Sequence, residues 1–134
     1  MTVPWGRRAP ERTQKPICII DDEEWVGDSL KILLETFGFR VESFRSGGEF
    51  LADERRHGVA CLLKDQHMPG MSGLEFVGHT LKEGIRVPTI LISGRLDTKT
   101  RERAASLGIT GVIEKPFAAS RLLDLIETVL PEPT

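Results

Sequence analysis

The chain has 134 residues, of which 40% are hydrophobic and 28% are charged, and its formal net charge is −2 at pH 7. This length and composition predict one ordinary globular domain with a hydrophobic core. The nearly balanced charge provides no strongly basic surface, so we expect no direct binding of nucleic acid by this domain and no attraction to an anionic membrane.

The apolar segments and the cysteines indicate an unexported protein. No apolar run approaches the roughly 18 residues that a membrane span requires, and the N-terminus has no apolar signal core. Cys18 and Cys61 each lie inside an apolar run and not at the spacing of a metal site, which is typical of buried thiols in a reducing compartment. We therefore expect a soluble, cytoplasmic protein that does not enter a membrane.

Residues 1–15 differ in composition from the rest of the chain. They contain two prolines, a glycine and four cations, and they show no hydrophobic periodicity. For so short a segment, a solvated extension is favoured over a basic recognition tail. We therefore predict a flexible N-terminal arm at 1–15, one domain at 16–130 and a C-terminal tail at 131–134.

The first predicted strand, at 16–20, is a continuous apolar run that suits a parallel sheet covered on both faces. Apolar residues then recur at helical spacing over 26–37, and Gly38 supplies a typical stop. Residues 39–44 alternate between apolar and polar, as in a half-exposed edge strand. A short helix is predicted to open at 46–48.

The remaining elements continue this alternation of strands and helices. Further strands are predicted at 59–63, 87–92 and 110–113, and further helices at 73–84, 95–107 and 122–130. The helix at 95–107 has a thin apolar stripe, so we expect it to dock loosely. Because parallel neighbours need right-handed crossover connections, the alternation predicts an α/β fold with a doubly wound parallel sheet.

Polar side chains follow four of the five predicted strands. Asp21 and Asp22 follow the first strand, Asp65 the third, Ser93 the fourth and Lys115 the fifth. In an open α/β sheet the ligand crevice lies beyond the carboxyl ends of the strands. We therefore expect these side chains to meet in one crevice.

The three aspartates of this set require a cation. Two carboxylates about 4 Å apart repel each other by about 4 kcal/mol at an effective dielectric constant of about 20. Oxygen ligands alone favour a hard ion such as Mg²⁺, which keeps coordination positions for phosphate oxygens. Lys115 adds a positive charge and Ser93 a small rotatable donor. The set therefore predicts Mg²⁺-assisted phosphoryl chemistry.

Four short motifs carry a family resemblance when they are taken together. They are Ile-Ile-Asp-Asp-Glu at 19–23, Lys-Asp-Gln-His-Met-Pro-Gly-Met-Ser-Gly at 64–73, Leu-Ile-Ser-Gly at 91–94 and Ile-Glu-Lys-Pro-Phe at 113–117. In this order and spacing they make the chain similar to the receiver domain of two-component response regulators, over roughly residues 16–130. The resemblance implies a flavodoxin-like fold, in which five helices cover a five-stranded parallel sheet of order 2-1-3-4-5.

The resemblance also implies a signalling chemistry. Asp65 would accept a phosphoryl group from the phosphohistidine of a sensor histidine kinase or a histidine phosphotransfer protein. Asp22, Asp65 and the backbone carbonyl of His67 would bind Mg²⁺, and Asp21 would act on the ion through water. The domain would promote its own phosphorylation and dephosphorylation and would not be a turnover enzyme.

The same resemblance implies how a signal would leave the site. Lys115 would hold the phosphoryl group, and Ser93 would swing inward to hydrogen-bond it, drawing the helix at 95–107 along. A homodimer partner or a downstream effector would then be bound by the face of the fourth helix, fifth strand and fifth helix. The chain would be either a stand-alone receiver or the N-terminal part of a regulator with a DNA-binding output domain.

Two residues depart from the family pattern. Val112 stands where a receiver typically carries an aromatic switch residue, so either no aromatic gating occurs or another side chain, such as Phe117, reports the state. Lys64 stands where an apolar or small residue is usual. It is interpreted either as a strand-end side chain that snorkels to solvent or as an extra cation near the acidic pocket, which would lower the need for a metal ion.

His67 and Arg95 occupy places that tune dephosphorylation in this family. We hypothesise that these bulky side chains flank the phosphoryl group and hinder the attack of water, which would give a long-lived phosphorylated state. The alternative is that both side chains point into solvent.

Two other functions stay open. A metal-dependent phosphohydrolase of small phosphoesters would use Asp65 or Asp21 as its nucleophile, but the sequence has no cap insertion or long loop to enclose a substrate. A degenerate receiver would act only as an interaction module. The intact aspartates and lysine argue against that module, whereas the two departures from the family pattern favour it.

Overall fold

The computed structural model describes residues 15–68 and 70–130. Its strands are β1 (Ile17–Ile20), β2 (Val41–Phe44), β3 (Cys61–Asp65), β4 (Thr89–Ser93) and β5 (Gly111–Glu114). Its helices are α1 (Glu24–Thr36), α2 (Gly47–Ala52), α3 (Gly73–Lys82), α4 (Thr98–Ser106) and α5 (Ala119–Val129). A short 3₁₀ helix at Glu54–His57 follows α2. The predicted C-terminal tail and residues 1–14 of the predicted arm lie outside the described residues.

The five strands form one parallel sheet in the order β2-β1-β3-β4-β5. This order and the alternation with helices confirm the predicted flavodoxin-like, doubly wound α/β fold. β1 and β3 are buried along their whole length, as expected for central strands that helices cover on both sides. β2 is an edge strand with one exposed residue, Ser43, in agreement with its alternating sequence.

Hydrophobic side chains close both faces of the sheet. On one face, α1 and α5 pack through a cluster that includes Leu34 and Leu122. On the other face, α2 and α3 pack through Phe50 and Phe76, and α4 packs through Ala104. The sheet is therefore the middle layer of three.

α4 begins at Thr98, later than the predicted start at residue 95. Residues 95–97 form a loop instead, because Asp97 caps the helix and accepts a hydrogen bond from the Thr100 N–H at 2.8 Å. Such an acceptor satisfies one of the amide groups that the first helical turn leaves unpaired. Within α4 only Ala104 is buried, so the apolar contact surface of this helix is as thin as the sequence predicts.

β3 extends to Asp65, whereas the predicted strand ended at residue 63. Asp65 lies opposite Ile92 of β4, and the following amide, Gln66 N–H, donates to the Ile92 carbonyl at 2.8 Å. The ladder with β4 therefore carries Asp65 to the carboxyl edge of the sheet.

Cys18 and Cys61 are buried and form no disulfide, which confirms their interpretation as buried thiols. Among the described residues, no helix combines the length and the apolar character that crossing a membrane demands.

Candidate functional site

The carboxyl edge of the sheet brings the three predicted aspartates together. β1 and β3 are neighbours, with Ile20 opposite Lys64, so Asp21 and Asp22 follow β1 at the level where Asp65 ends β3. One carboxylate oxygen from each aspartate lies within 4.8 Å of the others. The structure therefore contains an acidic cluster with the geometry of a metal site.

Hydrogen bonds from neighbouring amides orient two of these carboxylates. Asp21 Oδ1 accepts a bond from the Glu23 N–H at 2.9 Å, and Asp65 Oδ1 accepts one from the His67 N–H at 3.1 Å. Asp21 and Asp65 are each 6% exposed. Burial raises the pKa of Asp21, and the charge of Asp65 raises it further, although the bond from Glu23 opposes both effects. The cluster thus concentrates negative charge that a bound cation would relieve.

Lys115 supplies a positive charge beside Asp65. Its Nζ lies 3.5 Å from Asp65 Oδ2, a long contact in which charge attraction outweighs hydrogen bonding. The Lys115 N–H donates to the Ser93 carbonyl at 2.8 Å, which holds the end of β5 against β4. The pairing of these two strands therefore brings the lysine to the aspartates.

The hydroxyl of Ser93, the last residue of β4, bonds to the loop that follows it. Ser93 is 0% exposed. Its Oγ donates to the Arg95 carbonyl at 2.7 Å and accepts from the Arg95 N–H at 3.1 Å. It also lies 3.2 Å from Nε2 of His67. The acidic cluster of Asp21, Asp22 and Asp65 is called the pocket below. Ser93 lies beside this pocket, because its hydroxyl contacts the ring of His67, whose backbone N–H bonds to Asp65.

His67 and Arg95 have different surroundings although both are exposed. The ring of His67 reaches from the loop after β3 to the Ser93 hydroxyl, so it does more than point into solvent. Arg95 contacts Ser93 through its backbone N–H and carbonyl.

Lys64 is fully buried, with 0% of its surface exposed. Its Nζ donates to the Asp65 carbonyl at 3.1 Å, lies 2.8 Å from the sulfur of Met68 and is 5.7 Å from the ring centroid of Phe76. The interpretation as a snorkelling side chain is therefore wrong, because α3 covers this end of β3. Burial lowers the pKa of Lys64 to about 8, although the charge of Asp65 opposes this change.

Val112 and Phe117 lie on opposite faces of the sheet. Val112 is half-buried and packs against the cluster of Leu74, Leu91 and Ala104, on the face that α4 covers. Phe117 packs against the cluster of α1 and α5. Of these two side chains, Val112 is therefore the one on the α4 side of the sheet, and it is aliphatic.

Two residues without a predicted role organise the loops around the pocket. The side-chain oxygen of Gln66 accepts from the Leu74 N–H at 2.9 Å, which ties the loop after β3 to α3. A carboxylate oxygen of Glu114 accepts from the Leu96 N–H at 3.2 Å, which ties the loop after β4 to β5. Both residues lie within the sequence motifs, but the motif spacing carries no signal for contacts 8 and 18 positions apart.

The sheet order, the acidic cluster and the lysine at the end of the last strand together define a receiver-type α/β domain. The chain belongs to the response regulator receiver domain family, whose model matches residues 17–127. It is thus a receiver domain of two-component signalling, as its motifs indicate.

Two curated relatives are named as response regulators, and the solved structure of FixJ-N is similar in fold and sequence. Response regulator protein TmoT of Ectopseudomonas mendocina is 34% identical over 125 residues, which are 93% of this chain and 57% of TmoT. Response regulator protein TodT of Pseudomonas putida (strain F1) is 39% identical over 115 residues, which are 85% of this chain and 50% of TodT. The crystal structure of FixJ-N is 34% identical, with a TM-score of 0.77 over 86% of this chain and 92% of that one. The chain spans about half the length of the curated relatives it matches.

Proposed function

We propose that this domain is a phosphoacceptor switch in a cytoplasmic phosphorelay and that Asp65 accepts the phosphoryl group. The donor is the phosphohistidine of a sensor histidine kinase or a histidine phosphotransfer protein. The observation that carries the proposal is the convergence on Asp65 of two further aspartates within 4.8 Å and of Lys115 Nζ at 3.5 Å. This combination places a nucleophilic carboxylate among groups that orient and neutralise a phosphoryl group.

The transfer uses the two oxygens of Asp65 differently. Oδ1 is held by the His67 N–H, and Oδ2 faces the ammonium of Lys115. One carboxylate oxygen forms the new bond to phosphorus while the P–N bond to the donor imidazole breaks, and the donor nitrogen keeps the electron pair. Lys115 then pairs with the negative charge of the transferred group. The domain promotes its own phosphorylation and dephosphorylation and does not turn over a separate substrate.

The acidic cluster suits Mg²⁺, because its donors are carboxylate oxygens that lie within 4.8 Å of one another and a hard cation prefers such donors. Asp22, Asp65 and the backbone carbonyl of His67 would hold the ion, with Asp21 acting through water. Bound Mg²⁺ would neutralise charge on the phosphoryl oxygens during transfer. The buried ammonium of Lys64 supplies part of the same neutralisation from within the protein, since Asp65, Asp21 and Asp22 all interact with its charge.

The output follows from the connection between Ser93 and α4. Ser93 turns toward the phosphoryl group on Asp65 and draws the loop of residues 94–97 and the thinly anchored α4 with it. The face formed by α4, β5 and α5 then binds a second copy of the chain or a downstream effector. Because Val112 is aliphatic, this output operates without an aromatic side chain at that position.

The decisive experiment is the intact mass of the protein after treatment with acetyl phosphate and Mg²⁺. We expect one added phosphoryl group on the wild type, none on Asp65→Asn, and much less on the wild type in EDTA. Asp124→Asn, which changes an exposed aspartate on α5, is the matched control and should label like the wild type. Equal labelling of Asp65→Asn and the wild type would refute the assignment of Asp65.

The same experiment separates the two alternative functions. Release of phosphate over many turnovers from small phosphoesters would indicate a phosphohydrolase, and no labelling at all would indicate an interaction module. A cavity of about 300 Å³ lies at the opposite edge of the sheet, where Thr89 begins β4. None of its lining residues belongs to the acidic cluster, so this cavity takes no part in the proposed transfer.

A further inference from the structure

The Ser93 hydroxyl has three close partners, and their geometry fixes the role of each. A hydroxyl has one hydrogen to donate and two lone pairs to accept with. The hydrogen goes to the Arg95 carbonyl at 2.7 Å, and one lone pair accepts from the Arg95 N–H at 3.1 Å. The third partner, His67 Nε2 at 3.2 Å, must therefore be a donor. Nε2 carries a hydrogen in one neutral tautomer and in the imidazolium alike, so this bond requires no change of charge.

The hydroxyl of Ser93 is thus saturated by partners other than Asp65. It cannot turn toward a phosphoryl group on Asp65 without giving up the bond from His67 and both bonds to Arg95. His67 lies in the loop after β3 and Ser93 ends β4, so the bond crosses between neighbouring strands beside the pocket. The loop after β4 is also tied to β5, since the Leu96 N–H donates to Glu114.

We propose that His67 is a positioning residue that holds Ser93 toward Arg95 in the unphosphorylated domain. By stabilising this conformation, the donated bond lowers the population of molecules in which Ser93 is free to meet a phosphoryl group. The consequence for phosphorylation rests on the proposed function, whereas the hold on Ser93 is a property of the unmodified protein.

This role differs from shielding of the phosphoryl group by the side chains of His67 and Arg95. Shielding depends on the bulk of a side chain, whereas the hold on Ser93 depends on a donated hydrogen bond. His67→Ala removes both the bulk and the donor, His67→Phe keeps a ring without a donor, and His67→Gln keeps an N–H donor without a ring. Because His67 is exposed, all three variants leave the core intact.

The first test measures solvent exchange of the Arg95 amide by NMR in the unphosphorylated protein. Loss of the bond from His67 frees Ser93 to rotate, so the Arg95 N–H loses its acceptor more often. We expect exchange to be about threefold to tenfold faster in His67→Ala and His67→Phe, the effect of losing one net hydrogen bond, and closer to wild type in His67→Gln. His79→Ala, an exposed histidine on α3 that pairs with Glu83, is the matched control and should leave Arg95 unchanged.

The outcomes of this test are decisive. Unchanged exchange in His67→Ala would overturn the proposal, and so would a wild-type rate in His67→Phe, because ring bulk alone would then suffice. Equal acceleration in His67→Gln and His67→Ala would likewise overturn it, because the donated bond would then be irrelevant.

The second test measures the rates of labelling by acetyl phosphate and of phosphate loss in the same variants. Release of Ser93 should speed labelling in both His67→Ala and His67→Phe, whereas shielding predicts that only His67→Ala loses phosphate faster. If no variant is labelled but Arg95 exchange responds as expected, the proposed function fails and the hold on Ser93 stands. If labelling occurs normally but exchange at Arg95 does not respond, only the hold on Ser93 fails.

Discussion

The ammonium of Lys64 is enclosed by β3, the loop after it and α3. In the described part of the chain its close neighbours are the Asp65 carbonyl and the sulfur of Met68, with the ring of Phe76 nearby. A buried cation whose hydrogen-bond partners are uncharged is costly to keep charged, and the nearby carboxylates of Asp65, Asp21 and Asp22 offset only part of this cost. The pKa of Lys64 is lowered to about 8 because burial disfavours its charged form.

Lys64→Met should stabilise the domain, by about 1–2 kcal/mol at neutral pH, since methionine fills similar space without a charge. Below about pH 8, Lys64 is charged in the folded and in the unfolded protein, so the folded protein bears the full cost of burying the charge. Between about pH 8 and its ordinary pKa of 10.5, the folded chain loses this proton before the unfolded chain does. The unfolded state then binds more protons, wild-type stability rises with pH, and the advantage of methionine shrinks.

Urea unfolding in EDTA at about pH 7 and about pH 9.5 measures this difference. Lys82→Met, which replaces an exposed lysine on α3, is the matched control and should stay within about 0.5 kcal/mol of wild type. A methionine advantage that is equal at both pH values would contradict the argument, as would a loss of stability at neutral pH.

Sequence patterns identify single residues better than they identify the contacts of those residues. The motifs singled out Lys64 as unusual, but its burial depends on Phe76 of α3, which no pattern around residue 64 encodes. Likewise His67 and Ser93 were each candidate residues, yet the bond between them joins positions 26 apart. It exists only because β3 and β4 are neighbours in the sheet.

At the scale of elements, the start of α3 is packed too closely for a side chain at its first residue. A Cβ atom added to Gly73 would overlap a methyl group of Leu91 and would lie 2.9 Å from the side-chain oxygen of Gln66. Gln66 is held there because this oxygen accepts from the Leu74 N–H. The contact therefore couples the seating of α3 to the loop that follows Asp65.

Gly73→Ala should destabilise the domain by about 1–3 kcal/mol, because α3 or its neighbours must shift to admit the methyl group. Gly78→Ala in the same helix is the matched control. A Cβ there meets nothing within 4 Å, so the higher helix propensity of alanine should stabilise the domain by up to about 1 kcal/mol. Denaturant midpoints of both variants test this contrast, and changes of the same sign in the two would refute the packing argument.

Elements with a strong hydrophobic pattern were predicted more accurately than their ends. The apolar run of β1 and the stripe of α1 follow directly from burial against the sheet. The start of α4 was misplaced because that helix buries only Ala104. Its first turn is instead determined by the cap at Asp97, a local hydrogen bond that hydrophobic periodicity does not register.

At the scale of the whole molecule, sheet topology explains why the sequence could predict that side chains such as those of Asp65 and Lys115 lie close together. Parallel strands joined by crossover helices all end at the same edge, so residues distant in sequence meet there. Asp65 and Lys115, 50 positions apart, are in contact for this reason. The topology also separates the strongly from the weakly held helices: α5 buries Leu122, Leu123 and Ile126, whereas α4 buries a single alanine.

This asymmetry predicts the direction in which phosphorylation acts on the domain. A charge added at Asp65 should perturb the element that costs least to move, which is α4, through Ser93 and residues 94–97. In ¹H–¹⁵N NMR spectra recorded with acetyl phosphate and Mg²⁺, we expect amide shifts to extend from the pocket through α4 and β5 and to be small in α5. Ser93→Ala keeps Asp65 but removes the connecting hydroxyl, so its shifts should stay near the pocket. Shifts that spread equally in Ser93→Ala would show that the signal reaches α4 by another route, and shifts confined to the pocket in the wild type would show that α4 does not respond.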